Sequence, residues 1–337
     1  MASVMEPEVT TARDPQPPAS SVERATEAAA SEATILSPAG SPDRLLRLQR
    51  ARELARQEAE EARERREARR ERLRELAEKR AARREAARER RESAPFSLRI
   101  GSFNVLGSQH TAPGGSRQKY PPASTRTAGA AGVIGSHGVD VLGTQELQAD
   151  QLRDLQNRTG MAAWPGFGWG DKETDNSILY DPGVVEVVSG SSFTIPFMGT
   201  PRPQPIVRFR HEATGREFYV VNTHPSAGGG SYLAERRQGQ AALVNVVNDL
   251  ESEGVPILVT GDMNDREEFY CRVMPAAGLV ASNGGSYGSG CQPPPSPLPV
   301  DWVVGTGASW SEYRRDTTPT DRRISDHFFI SALASFS

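Results

Sequence analysis

The chain is short of cysteine, histidine and aromatic residues, and each shortage excludes something. Two cysteines among 337 residues are too few for a disulfide-built scaffold or a four-cysteine zinc site. No HExxH segment or Cys/His spacing occurs either, which argues against zinc. No run approaches the ~20 apolar residues of a membrane span. The opening MASVMEPEVTTARDPQPP lacks the basic start and apolar stretch of a secretory signal, so cytoplasmic residence is the expectation. Aromatic residues make up 7% of the chain. Their densest cluster is AWPGFGWG, with Trp164, Phe167 and Trp169, which reads as core or rim packing before it reads as a membrane-contacting patch.

What is present is charge, unevenly spread. Lys and Arg number 40 against 43 Asp and Glu, a net of −3. Residues 1–40 carry 2 basic and 6 acidic side chains, residues 41–92 carry 19 and 13, and the remainder 19 and 24, for nets of −4, +6 and −5. Residues 1–41 hold too few large apolar side chains to offset the entropy of ordering and are expected to be disordered. Residues 42–93 are almost entirely Ala, Leu, Arg, Glu, Gln and Lys, strong helix formers. Ser41 suits an N-cap, Pro42 the first helical position, and Pro95 a stop. Pairs such as Glu61–Arg65 and Glu75–Lys79 have the supportive i,i+4 spacing. The best heptad register places Ala or Arg at most seam positions, so knobs-into-holes packing is poor. The expectation is a solvated spacer on the order of 75 Å long. A weak coiled coil, by which the arm self-associates or binds another protein, and a polyanion-binding arm are the alternatives.

From residue 96 to residue 337 short apolar runs alternate with helical and Gly/Pro-rich segments. Strands are expected at 97–105, 139–145, 177–180, 184–195, 205–211, 217–224, 256–261, 300–305 and 328–336. Helices are expected at 124–136, 147–158, 232–252 and 266–276. Strands outnumber helices about two to one, with several consecutive ones in the middle. This favours an α/β chain of layered sheets over a doubly wound parallel sheet. The stretch 283–299 reads as a long loop.

Chemically capable side chains fall at the ends of these strands. Asn104 ends SFN, Glu146 ends TQE and His224 ends NTH. Asp262 and Asn264 lie in GDMN, Asp301 opens DW, and Asp326 and His327 lie in SDH. Strand ends are rigid mounts for functional groups. Each residue alone has an ordinary structural explanation: a turn amide, a helix start, a hydrogen-bonded histidine, a turn acid. Together their types are complementary, and Glu146, Asp326 and Asn104 offer hard oxygen ligands suited to Mg²⁺ or Mn²⁺.

SFNV, TQE, NTH, GDMND, DW and SDH occur in the order and approximate spacing of the endonuclease/exonuclease/phosphatase superfamily, and the chain resembles it from about Leu98 to the C-terminus. The resemblance implies a four-layer α/β sandwich (DNase I-like) with the site at one edge of two packed sheets. It implies a divalent-metal-dependent phosphoesterase, first of all a phosphodiesterase acting on nucleic acid. Glu146 would be the principal Mg²⁺ ligand (Mn²⁺ as substitute), helped by Asn104 and Asp326. Asp262 would orient or deprotonate the attacking water, and Asn264 would hold a phosphate oxygen. His327, paired with Asp301, would neutralise the phosphate, His224 would face the leaving group, and Asn176 would support His224. The resemblance also suggests that Cys271 and Cys291 form a disulfide, as in exported relatives. A loop of that size is worth roughly 3 kcal/mol when closed, and it points to an exported origin against the missing signal.

Two departures matter. Some nuclease members have an acid two residues past the first Asn, where this chain has Leu106. The globular part is net acidic, without a dense basic stripe; Arg208, Arg210, Arg236, Arg237, Arg322 and Arg323 are candidates for a phosphate groove or simply solvated. Two alternatives therefore stand: a phospholipid phosphodiesterase or sugar- or inositol-phosphate phosphatase of the same mechanism, and a non-catalytic assembly protein that works through its helical arm.

Overall fold

The computed structural model describes residues 42–337; the segment expected to be disordered and the Ser41 cap lie outside the described residues. Helix α1 (Pro42–Glu92) is continuous over 51 residues and buries none of them. Leu45, Leu54 and Leu73 remain more than half exposed. Its own propensity and i,i+4 pairs hold it, among them Glu61–Arg65 at 3.2 Å and Arg88–Glu92 at 2.8 Å, each worth about 0.3–0.5 kcal/mol. The chain divides into a unit ending at Lys79 and a compact unit from Arg80 to Ser337. Within the latter, Arg91 donates to the carbonyls of Glu212 and Ala213.

The compact unit is built on two six-stranded sheets. The first contains β1 (Phe96–Asn104), β2 (Val141–Gln145), β3 (Ala162–Trp164), β4 (Ile178–Tyr180), β11 (Ser309–Asp316) and β12 (Phe329–Phe336), in the order β11-β12-β1-β2-β4-β3. The second contains β5 (Val185–Phe197), β6 (Thr200–His211), β7 (Glu217–Thr223), β8 (Ile257–Asp262), β9 (Val280–Ala281) and β10 (Asp301–Thr306), in the order β5-β6-β7-β8-β10-β9. Leu98, Ile100, Val141, Phe209, Phe218 and Val303 belong to the core between the sheets. Helices α2 (Ala123–His137) and α3 (Ala149–Thr159) pack Val133, Ile134, Leu152 and Leu155 against Leu142 and Phe329 of the first sheet. Helices α4 (Ser231–Glu251) and α5 (Glu267–Ala276) pack Leu243, Val247, Phe269 and Tyr270 against Val259 and Trp302 of the second. The result is four layers, helix–sheet–sheet–helix, as expected. A short α6 (Thr318–Asp321) lies between β11 and β12.

The elements that sequence pattern misses have physical reasons. β11, SWSEYRRD, is an edge strand, and its charged side chains keep that edge from pairing further. β6 begins at Thr200, five residues before the expected start, through Pro201 and Pro203. Those prolines pair only with β5, since β7 joins β6 at Ile206 to Arg210. A proline is tolerated where no second neighbour needs its missing N–H.

A polar network crosses the interior between the sheets. Asn222 on β7 donates to the carbonyls of Thr144 and Asn176, and its Oδ1 accepts from Gln145 and Thr260. All four partners are buried, so these bonds form away from water, where an unmade one is costly. Cys271 and Cys291 are joined in a disulfide with Cα atoms 5.4 Å apart. Among the described residues no helix is long and apolar enough to cross a membrane.

Candidate active site

β1 and β2 run parallel, as do β7 and β8, while β12 and β10 run antiparallel to β1 and β8. The C-terminal ends of the four parallel strands therefore share edges with the N-terminal ends of the two antiparallel ones. Asn104, Glu146, His224, Asp262, Asp301 and His327 sit at those ends, and Asp301 is the direct cross-strand partner of Asp262. Just past β1, β2 and β8 the chain reverses through left-handed residues: Leu106 (φ 54°), Glu146 (φ 60°) and Asn264 (φ 48°). Such backbone is uncommon for Leu and Glu, is adopted more readily by Asn, and recurs at functional sites.

His327 lies between two buried carboxylates. Its Nδ1 is 3.0 Å from Asp301 Oδ1, and its Nε2 is 3.5 Å from Asp262 Oδ2. Burial works to lower the imidazole pKa, but Asp301 and Asp262 outweigh it and hold it well above its ordinary value. Burial pushes Asp301 up, partly offset by His327. Asp262 is held below the usual carboxylate range: burial opposes this, but His327, His224 and the Asn264 N–H outweigh it. His224 places Nε2 3.4 Å from Asp262 Oδ2 and packs its ring on Phe197 at 5.0 Å.

Glu146 forms the other end of the site. Asn104, fully buried, donates one amide nitrogen to Glu146 Oε1 (2.9 Å) and Asp262 Oδ2 (3.1 Å). Its Oδ1 accepts the Leu106 N–H, so in this arrangement Asn104 ties the two carboxylates together and turns its oxygen inward. Burial pushes Glu146 up, but the His110 hydrogen bond, His224 and Asn104 bring it down to about 2. Two anionic carboxylates facing one pocket suit a divalent cation with a preference for oxygen ligands. Asp262, Asp301 and His327 also bring ligand atoms within 4.8 Å of one another. Both nitrogens of that imidazole face carboxylates.

The other expected residues are placed as follows. Asn264 lines the pocket and donates to the Pro225 carbonyl. Asp326 lies on the rim, held by Arg117 at 3.0 Å. Asn176 reaches His224 only through Gln204, whose Oε1 accepts both the Asn176 amide and the His224 main-chain N–H.

Several site residues have no counterpart in the sequence reading. His110 contacts Glu146 Oε2 at 3.0 Å. Arg202, paired with Asp175 and stacked on Phe197, shares the pocket with Arg117. A second depression shares Asn264, Asp326 and His327 with the first and adds Arg266 and Arg315. None of the six arginines singled out in the sequence lines either depression. Arg208 and Arg210 are tied to Glu217, and Arg237 to Glu268. One signal was available for His110: it is one of five histidines in the chain and lies six residues past Asn104.

The fold has relatives among solved structures. The catalytic domain of human nocturnin with a bound sulfate superposes with a TM-score of 0.55 at 19% identity, covering 72% of this chain and 97% of that one. A mannosyl-6-phosphatase of Bacteroides thetaiotaomicron gives 0.52 at 18% identity, covering 70% and 99%. TDP2 of D. rerio with a single-strand DNA product gives 0.53 at 15%, covering 72% and 99%. By sequence, no curated protein matches the chain. The profile of the Endonuclease/Exonuclease/phosphatase family matches residues 101–327, the span that carries every site residue from Asn104 to His327. The chain therefore belongs to the endonuclease/exonuclease/phosphatase family of phosphoester hydrolases.

Proposed function

We propose that the protein is a divalent-metal-dependent phosphodiesterase that hydrolyses nucleic acid. The observation that carries this reading is that two depressions share Asn264, Asp326 and His327 in their linings, which we read as one trough running to either side of that point. A phosphodiester has a substituent on each side of phosphorus, whereas a terminal monoester needs room on one. Arg117 and Arg202 line one arm, Arg266 and Arg315 the other. Arg266 and Arg315 each give a single side-chain nitrogen to the 297–298 main chain, so further donors of each fork remain for an anionic backbone. The DNA product in one structural relative and the sulfate in another agree with an anionic substrate.

In this reading the His327 imidazolium, fixed by Asp301, donates to a non-bridging phosphate oxygen and offsets the charge that builds there. Asp262 accepts a hydrogen bond from the attacking water. Its depressed pKa makes it a weak base, so its main contribution is to aim the oxygen at phosphorus. His224, which contacts Asp262 Oδ2 and packs on Phe197, would face the leaving oxygen. Glu146 would hold the cation, with Asn104 behind it and Asp326 at the rim. A bound Mg²⁺ or Mn²⁺ supplies Lewis-acid polarisation of the phosphate and charge neutralisation.

The test is hydrolysis of supercoiled plasmid, single-stranded DNA, RNA oligonucleotides and bis-p-nitrophenyl phosphate with Mg²⁺, Mn²⁺ or EDTA. Wild type is compared with Glu146→Ala and His327→Ala. Metal-dependent cleavage of nucleic acid that both substitutions abolish is the expected result. Cleavage of the small diester alone would move the substrate to lipids or phosphorylated metabolites. Inertness of the folded protein toward every substrate would refute the enzymatic reading.

A further inference from the structure

The hydrolysis described above leaves one imidazole at the site unused. His110 closes a 3₁₀ turn, Ser108–His110, and sets Nε2 3.0 Å from Glu146 Oε2 and Nδ1 2.9 Å from Ser116 Oγ. The loop is built to hold it there. The His110 N–H bonds to the Gly107 carbonyl, and its own carbonyl accepts the Arg117 N–H at 2.7 Å. Ser108 is pinned to α3 through Gln151 (2.8 Å) and Asp150 (2.8 Å). A side chain at Gly115 would collide with the His110 carbonyl, so the loop closes only with glycine there. The buried Arg126 holds the Gly107 carbonyl and the Thr111 hydroxyl on either side of the turn.

We propose that His110 is a ligand of the divalent cation at Glu146, and that this gives the site a mixed nitrogen–oxygen donor set favouring Mn²⁺ over Mg²⁺. The inference rests on the reading of Glu146 as the cation-holding residue. Three observations support it. Nε2 and Oε2 face each other at 3.0 Å as hydrogen-bonded partners, so a cation that takes the place of the proton between them meets both atoms. A ligating imidazole almost always engages its second nitrogen with a fixed partner, and Ser116 Oγ fills that place. Oxygen donors suit Mg²⁺ and Mn²⁺ alike, but Mg²⁺ is a hard cation bound through oxygen, so a nitrogen donor adds more for the first-row transition ion Mn²⁺.

The experiment uses the full chain. Mn²⁺ and Mg²⁺ affinities are measured by calorimetry, and pulsed electron paramagnetic resonance of the Mn²⁺-loaded protein reads coupling to ligand nitrogen. Wild type is expected to bind Mn²⁺ more tightly than Mg²⁺ and to show nitrogen coupling. His110→Ala should lose that coupling and weaken Mn²⁺ by at least the ~10-fold that loss of a partner to a ligand already costs, with a smaller change for Mg²⁺. His110→Asp, which keeps a donor in the loop, should bind both ions without the nitrogen signal and with the preference for Mn²⁺ reduced. Unchanged coupling or an unchanged Mn²⁺/Mg²⁺ ratio in both variants would overturn the inference. Glu146→Ala separates the two levels. If Mn²⁺ binding survives that substitution, the cation reading itself fails. If binding is lost there but intact in both His110 variants, only the role of His110 fails.

Discussion

The guanidinium of Arg126, on the first turn of α2, donates to the Leu106 carbonyl at 2.6 Å from a fully buried position. The same group reaches the carbonyls of Val105, Gly107 and Ile324. It therefore ties the segment after Asn104 to the segment before Asp326 and His327. Among the described residues no carboxylate is paired with it; four main-chain oxygens and a hydroxyl engage its two terminal nitrogens and offset part of the cost of burying the charge, while its Nε is buried without a partner. Burial lowers its pKa, with only distant acids opposing.

Replacing Arg126 by Met should strand those carbonyls and release both loops. A loss of about 3 kcal/mol or more in denaturant unfolding is expected, in the range for breaking a buried hydrogen-bonded charge network. Arg126→Lys should recover little of it, since an ammonium lacks the planar fork that reaches both segments at once. Full recovery by lysine would show that charge, and not the fork, holds the loops.

Asp301→Asn separates orientation from charge at His327. The amide can keep the contact to Nδ1 but no longer supports the imidazolium. Turnover should drop by on the order of 10²–10⁴-fold, as for loss of the carboxylate behind a catalytic imidazole, with little change in KM. The His327 pKa is raised in the folded protein, so its contribution is complete below the unfolded value of about 6.5 and disappears as pH rises through the folded value. The alkaline limb of the wild-type pH–rate profile should therefore move to lower pH in Asp301→Asn. An unmoved limb would assign that ionisation elsewhere.

Glu146 carries the opposite sign. Its folded pKa of about 2 lies below the ordinary 4.5, so the carboxylate stabilises the fold above about pH 4.5 and loses that contribution as pH falls toward 2. Thermal melts of metal-free protein should show a steeper acid decline for wild type than for Glu146→Gln. Parallel curves would mean that the carboxylate is not held by His110 and Asn104 in solution.

Strand tips made most of this site legible from sequence, because an apolar strand fixes where its last residue points. Asn104, Glu146, Asp262, Asp301 and His327 each inherit their position from a strand that hydrophobic pattern alone locates. His110, Arg117 and Arg202 do not. They come from a Gly-rich loop and from the proline-bearing part of β6, where local sequence says little about which side chain returns to the site. Leu106 marks the boundary: its type is read correctly as a missing acid, but only the fold shows it buried with its carbonyl held by Arg126 while His110 meets Glu146.

The strand tips are held in register by what lies beneath them, and Asn222 with Gly143 tests that. Asn222 links β2, β7 and β8 through four hydrogen bonds, and Gly143 on β2 leaves the space that Thr260 and the Asn222 side chain occupy. A Cβ at Gly143 would overlap Thr260 Oγ1, in an interior with no room to yield. Gly143→Ala should therefore push the sheets apart and cost about 1–3 kcal/mol by overpacking. Asn222→Leu removes the hub and leaves the Thr144 and Asn176 carbonyls without their donor; a comparable loss is expected. The double variant Gly143→Ala with Thr260→Ala should recover only part of the first loss, since it removes the nearest atom while Asn222 Oδ1 and the residue 260 Cβ still crowd the added Cβ. In Asn222→Leu, measured where the protein is still fully folded, turnover should fall more than KM rises, because the tips of β2, β7 and β8 carry Glu146, His224 and Asp262. Normal turnover in a destabilised Asn222→Leu protein would show that this network serves stability alone and that the loops hold the site.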